Sequence, residues 1–337
     1  MVARNNSFAF TPIADTSDRF SDFAPYVASL NNHGLVAFQA ALRAGGTGVF
    51  TGSGGPIATG LIAHGGFIAR ITSHPDINDD GTLAFYADLN PGGQAVVRIE
   101  DGRAGTIADT ATRLKTIGPL GPTINESGEV AFRADLSAGG SGIFVVDRKV
   151  RTVVETGERF ASFYGLPVIN ETGSVLFRAD HPNGTQGIHV SRDDRVEIIV
   201  ETGDRFRDLA HFPSINDEVT VAFGATEQAG GIGLFTATDG KLATVVAPGE
   251  KFESVRNALI DQGGTVVFAA TPVGGQLGIF VGPDPGADRV LAVGDTLFDS
   301  EVVEFALNPV SVNDAGQMAI RVKLASGRQV IVRAERR

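Results

Sequence analysis

The sequence predicts an all-β protein, a seven-bladed β-propeller built from four-stranded antiparallel blades. Three observations carry that expectation. The segment INDDGTLAFYADL at 77–89 recurs as INESGEVAFRADL at 124–136 and INETGSVLFRADH at 169–181, with looser copies starting at Leu30, Ile215, Ile260 and Val312. Each copy holds four short β signals. The two ends of the chain complete each other.

The repeat comes first because it sets the architecture. Its anchors are Asn31, Asn78, Asn125, Asn170, Asn216, Asp261 and Asn313, spaced by 47, 47, 45, 46, 45 and 52 residues. Seven copies cover nearly the whole chain, and a period of 45–47 suits a propeller blade. Residues 165–203 illustrate one copy. PVIN is followed by the turn ETG and the strand SVLFRAD. The loop HPNGTQ leads to GIHVSR, and a tight turn at Asp193–Asp194 leads to VEIIVETG. Val, Ile and Phe fill the strands, while Gly and Asn bound them. Three tight connections and one long one describe a meander followed by a crossing to the next blade.

The ends separate a closed ring from an open solenoid. PIADTSDRF at 12–20 matches the outermost-strand exits VVETGERF at 153–160 and VETGDRF at 200–206, so the chain opens on a fourth strand. The last copy runs VSVND, QMAIRVKL and RQVIVRAE and stops one strand short. The strand at 8–16 is therefore expected to complete blade seven in a three-plus-one closure. A solenoid would need polar caps instead. The result is one domain, residues 1–337, with blades expected at about 24–64, 72–110, 119–156, 165–202, 211–248, 256–294 and 308–335.

Composition narrows the function classes. Forty-three glycines among 337 residues mean many turns and few helices. With no cysteine, disulfides, zinc–thiolate sites, iron–sulfur clusters and a thiol nucleophile are excluded. A net charge of -11 argues against nucleic acid or an anionic membrane as partner. No apolar run suits a membrane helix. MVARNNSFAF lacks a signal-type apolar region and RAERR lacks an anchor, giving the expectation of a cytoplasmic monomer, or of an exported one if a signal preceded it. Neither nucleotide nor flavin is expected. No G-x-S-x-G elbow, H-E-x-x-H, P-loop or dinucleotide fingerprint appears.

In the N-x-x-G turns, Asn bonds its own turn backbone and Gly takes a left-handed conformation. NDDG at 78–81 superficially suggests a calcium loop but lacks the later bidentate Glu. Phe38, Phe85, Phe132 and Phe223 on the second strands read as packing residues. On Asn78, Gly81, Ala84 and Phe85, and on Asn125, Gly128, Ala131 and Phe132, the chain resembles a bacterial tandem-repeat group named for its NxxGxxxAF-type motif. That resemblance covers essentially the whole chain and implies a secreted or surface-anchored repeat fold more than an activity.

Candidate site residues lie where the copies diverge. The face carrying long loops such as ADLSAGGSG, around the channel mouth, is the expected functional face. Just before the innermost strands stand Tyr26, His74, His211, Arg256, Asn257 and Asn308, with Arg70 and Tyr164 a few residues earlier. These eight are the candidate ligand-binding set. Histidine is the natural acid–base group or metal ligand near neutral pH, so His74 and His211, with Tyr164, are the candidate catalytic groups. The same two histidines are the only metal ligands considered, although no metal is expected. A repeated acid–x–x–x–base pattern pairs Asp15, Asp109, Glu155 and Glu201 with Arg19, Arg113, Arg159 and Arg205. Lys251 shares the basic position, and the pattern is read as structural. His64 and His181 are on long loops, His33 is in a far-face turn, and His189 occupies a slot held elsewhere by Phe50, Phe144, Phe235 and Phe280. The function expected is binding of a small molecule or protein at the long-loop face. The alternative is a hydrolase, lyase or isomerase with a histidine-containing site in the same mouth.

Overall fold

The computed structural model describes residues 7–23, 25, 27–63, 66–193 and 195–337; Tyr26 and His64 lie outside them. Seven antiparallel sheets follow one another along the chain, and no α-helix occurs among the described residues. The chain is a seven-bladed β-propeller.

Blade four shows the unit: Ser162–Ile169, Val175–Asp180, Gln186–Arg192 and Arg195–Glu201, paired in that order. In blade seven, Ser300–Ala306, Met318–Leu324 and Gln329–Arg336 pair in order. Phe8–Asp15 then lies antiparallel against the last of them, from Phe8 opposite Arg336 to Asp15 opposite Val330. This pairing covers the backbone edge that Gln329–Arg336 would otherwise expose.

The blades begin earlier than the sequence pattern indicates. Segments such as Leu114–Ile117 and Phe206–Leu209, which look like parts of long inter-blade loops, pair with the ends of the second strands. Each innermost strand therefore has two halves. In blade three Leu114–Ile117 pairs near Leu136, whereas Thr123–Ile124 pairs with Ala131 and Val130. Between the halves the backbone bulges. In blades four and six the strand is continuous, with shifted register between Tyr164 and Val168 and between Arg256 and Ala258. The polar residues of these short first halves hid them from a strand reading. Their partners lie about twenty positions away, beyond local pattern.

Phenylalanine holds the blades together. Phe20, Phe38 and Phe50 pack edge-on or stacked with centroids 4.9–5.8 Å apart, and Ile13 and Ile331 of blade seven join the same cluster. The glycine two residues before the third-strand Phe is obligatory there. A Cβ on Gly142 would meet the Phe144 ring at 2.6 Å and the Val154 carbonyl at 3.0 Å.

Candidate functional site

The N-x-x-G turns form the more regular end of the ring. Each Asn Oδ1 accepts from its own turn, as Asn78 does from the Thr82 amide at 2.9 Å. Five of the six Nδ2 groups donate to the next blade's anchor carbonyl: Asn31 to Asn78 at 3.0 Å, Asn78 to Asn125 at 3.3 Å, Asn125 to Asn170 at 3.3 Å, Asn170 to Asn216 at 2.9 Å and Asn313 to Asn31 at 3.0 Å. The turn reading of these asparagines thus extends to a belt between blades. Gly81 and Gly128 have φ of 80° and 79°, as the turn requires; in blade five Val219 takes that role at φ 59°.

One residue further on, a second ring runs Asn32, Asp79, Glu126, Glu171, Asp217, Gln262 and Asp314. Each backbone amide from Asn32 to Asp217 donates to the next side chain, for example Glu171 N to Asp217 Oδ1 at 2.9 Å, and Asp314 N closes on Asn32. Five carboxylates share this mouth. Partial removal from water and mutual repulsion hold Glu126 and Asp314 above the ordinary carboxylate range and push Glu171 up to about 7. Beneath them Asp76 is buried and is pushed up to about 7, even though the Ile77 and Ile124 amides donate to it at 2.9 Å.

Of the residues selected from sequence, the seven that are described lie in or beside the bulges of the innermost strands, part-way along them. They do not form one cluster. His74 is buried, its Nδ1 3.3 Å from the Pro75 carbonyl and its ring packed on Gly121 of blade three; Nε2 has no hydrogen-bond partner among the described residues. Burial lowers its pKa to about 4 and keeps it neutral. His211 is exposed and stacks on Tyr164 with centroids 5.3 Å apart. The buried Arg178 guanidinium lies 4.7 Å from the Tyr164 ring centroid and bonds Asp180 at 2.8 Å. Gly165 (φ 70°) lets this happen, because a Cβ there would overlap the His211 carbonyl oxygen. Arg256 is exposed. Asn257 donates to the Leu307 carbonyl at 3.2 Å, and Asn308 caps the short 3₁₀ turn Pro309–Ser311, so both serve the backbone. Among the described residues no group of three or more His, Asp or Glu side chains is arranged to hold a metal ion.

A set that sequence reading missed lies opposite the bulges. The position after the second-strand Phe, or after Ile320 in blade seven, reads Gln39, Tyr86, Arg133, Arg178, Gly224, Ala269 and Arg321. Its variability within an otherwise regular AF-x-A pattern was the available signal. Tyr86, Arg133 and Arg70 line a cavity of about 430 Å³ between blades two and three, with Thr72, Gln94, Thr116 and Asp135. Arg70 bonds Asp88 at 2.7 Å. Thr116 donates to Asp135 at 2.6 Å. Gln94 accepts from the Ile117 amide at 2.9 Å, fixing the two blades together. Arg133 donates to the Phe163 carbonyl at 2.6 Å. The Tyr86 hydroxyl is buried without a hydrogen-bond partner among the described residues, and burial raises its pKa.

Blade four carries a second departure. His189 fills the Phe slot, stacked on Phe177 at 5.2 Å and edge-on to Phe160 at 5.1 Å. Its partner is His181, Nε2 to Nε2 at 3.2 Å, and His181 Nδ1 lies 2.8 Å from Thr185 and 3.1 Å from Glu201. Burial and the neighbouring His181 lower the His189 pKa to about 4. At the rim the repeated arginines lie over phenylalanine rings: Arg19 over Phe20 at 4.8 Å, Arg159 over Phe160 at 5.1 Å and Arg205 over Phe206 at 5.2 Å. Arg113 pairs with Glu155 of its own blade at 2.9 Å, not with Asp109 four residues earlier.

No protein-family model matches the chain, and no curated sequence does. Among solved structures, an oligogalacturonate lyase from Vibrio parahaemolyticus aligns over 98% of this chain and 97% of its own, with TM-score 0.60 and 12% identity. An oligogalacturonate lyase in complex with manganese aligns over 98% of both chains, with TM-score 0.60 and 8% identity. A puromycin-hydrolysing peptidase from Mycobacterium tuberculosis aligns over 92% of this chain and 53% of its own, with TM-score 0.58 and 12% identity. At these identities the likeness is one of fold.

Proposed function

We propose that the chain is a propeller that binds a small molecule in the cleft between blades two and three, on the long-loop side of the channel. One observation carries the reading. The cavity of about 430 Å³ combines two arginines, two threonines, a glutamine and an aspartate with a buried tyrosine whose hydroxyl proton finds no acceptor among the described residues. A buried hydroxyl without a hydrogen bond is costly, and a bound polar group removes the cost. Its lining residues come mainly from the positions where the repeats differ, as expected of function added to a repeated scaffold. A crystallographic fragment screen on the full chain tests this. Fragments should collect in the cleft. Collection at the outer rim beside Arg159 and Arg205, or on the N-x-x-G face, overturns the reading.

An enzymatic role has one observation in its favour: His211 and Tyr164, two groups able to move protons, stack on each other at the channel. The lyase chemistry named for two proteins of similar fold is compatible with such a pair. His74 is less suited, being buried and neutral. Loss of turnover in His211→Ala, with His74→Ala unaffected, would support this second reading.

A further inference from the structure

Three arginines share the slot after the second-strand Phe, and they form an internal control. Arg178 is ion-paired with Asp180 at 2.8 Å, and Arg321 with Glu304 at 3.1 Å. Arg133 has no carboxylate within ion-pair distance among the described residues; its one hydrogen bond is to the Phe163 carbonyl. The equivalent acid is present, since Asp135 stands two positions on as Asp180 does from Arg178. In blade three, however, Asp135 takes the Thr116 hydroxyl instead. Arg133 is thus a half-buried cation without a countercharge, and it lines the same cleft as the unpartnered Tyr86 hydroxyl. Both residues line one cavity, and the Arg133 backbone amide and charge each oppose the rise that burial causes in the Tyr86 pKa.

From this pairing, and resting on the cleft reading above, we infer that the ligand is a small hydroxylated carboxylic acid of the sugar-acid class. Its carboxylate bridges the Arg133 guanidinium, which has no carboxylate partner among the described residues, and the Tyr86 hydroxyl, whose proton has no acceptor there. Its hydroxyls donate to Asp135, whose Oδ1 accepts no hydrogen bond from a described residue, and meet the polar wall formed by Gln94 and Arg70. A single unpaired arginine matches one negative charge. Asp88 and Asp135 flank the site and disfavour a phosphate dianion, as does the net charge of -11. The cavity is of a size for one or two sugar rings.

The test is calorimetric titration of the full chain with D-glucuronate, D-glucose and D-glucose 6-phosphate. Glucuronate is expected to bind at least about tenfold more tightly than either other probe, because a charge-assisted bond to a desolvated arginine has no counterpart in the neutral sugar. Arg133→Gln should weaken glucuronate binding about tenfold or more. Should that variant fold poorly for loss of its Phe163 bond, Tyr86→Phe decides. It removes a hydroxyl whose proton has no acceptor among the described residues, so it should keep the fold while weakening glucuronate binding. Glucose or its phosphate binding as tightly as glucuronate in the same cleft overturns the class and leaves the cleft reading standing. Failure of glucuronate to bind at millimolar concentration also overturns the class. Glucuronate binding that neither variant weakens overturns both.

Discussion

The two halves of the innermost strands obey different rules. At the turn end, anchor Asn side chains are tied twice, once within their own turn and once to the next blade, and the residues repeat. At the bulge, about four to seven residues away, and on the second strand opposite it, residues change from blade to blade, and buried atoms such as His74 Nε2 and Tyr86 Oη have no hydrogen-bond partner among the described residues by strict geometry. The turn end is where the ring is closed against water; the bulge is where the strand can vary without breaking a ladder. Repetition in this molecule therefore marks mechanical work, and divergence marks the positions open to chemistry.

The largest effect tests whether the bulge is free of structural duty everywhere. Gly165→Ala should cost about 3 kcal/mol, because the new Cβ meets the His211 carbonyl and sits on a left-handed backbone. Chemical denaturation measures it, and a loss under about 1 kcal/mol would mean that blades four and five can slide apart. Next, Asn125→Ala should cost about 2 kcal/mol by removing a fully buried side chain with bonds to Glu129 N and the Asn170 carbonyl. Arg133→Gln, opposite the bulge, should cost clearly less. Equal losses would erase the distinction between the two halves.

Proton linkage sharpens the comparison further. His74 and His189 remain neutral to about pH 4, whereas an unfolded imidazole takes a proton near 6.5. The unfolded chain then binds more protons, so these groups weaken the fold as pH falls from about 6.5 to 4. Asp76 and Glu171 do the reverse: their folded values of about 7 lie above 3.8 and 4.5, so they weaken the fold as pH rises through that window. His189→Phe, which installs the residue of the sister blades, should stabilise the protein at pH 5 relative to pH 8, on the order of 1 kcal/mol per pH unit of window removed. Unfolding at the two pH values reads this, and an unchanged difference would mean that His189 is protonated in the fold. The smallest effect is expected from Glu171→Gln. It should raise Tm at pH 8 and leave it unchanged at pH 4, since relief of repulsion needs the charged form; a lowered Tm at pH 8 would show the charged Glu171 to be stabilising.

Much of this was legible in the chain. The period from Asn31 to Asn313, the glycine at six of the seven turns and the recurring second-strand Phe pointed to seven blades. The strand match at 12–20 indicated which end lies beside which. The expectation of a functional long-loop face came from the same source, because long loops and divergent residues fall together in sequence. The site was only partly so. Arg70 and Tyr164 were visible as departures just ahead of a repeat, but Tyr86 and Arg133 sit inside the motif itself, where AFYAD and AFRAD read as one more strand. His181 looked like a loop residue and His189 like a core substitution, and nothing local joins them.

The sequence by itself determined the repeat, its strands and its turns, since hydrophobic alternation and glycine placement act within a few residues. The tertiary structure alone decided which polar groups meet. Arg133 lines a cavity with a neighbouring blade's tyrosine and lacks the carboxylate partner that Arg178 has, while Asp135 accepts from Thr116. Such facts depend on distances between strands of different blades, set by bulges and inter-blade packing. Whether a buried charge or hydroxyl is satisfied is a property of those distances and of the water they exclude.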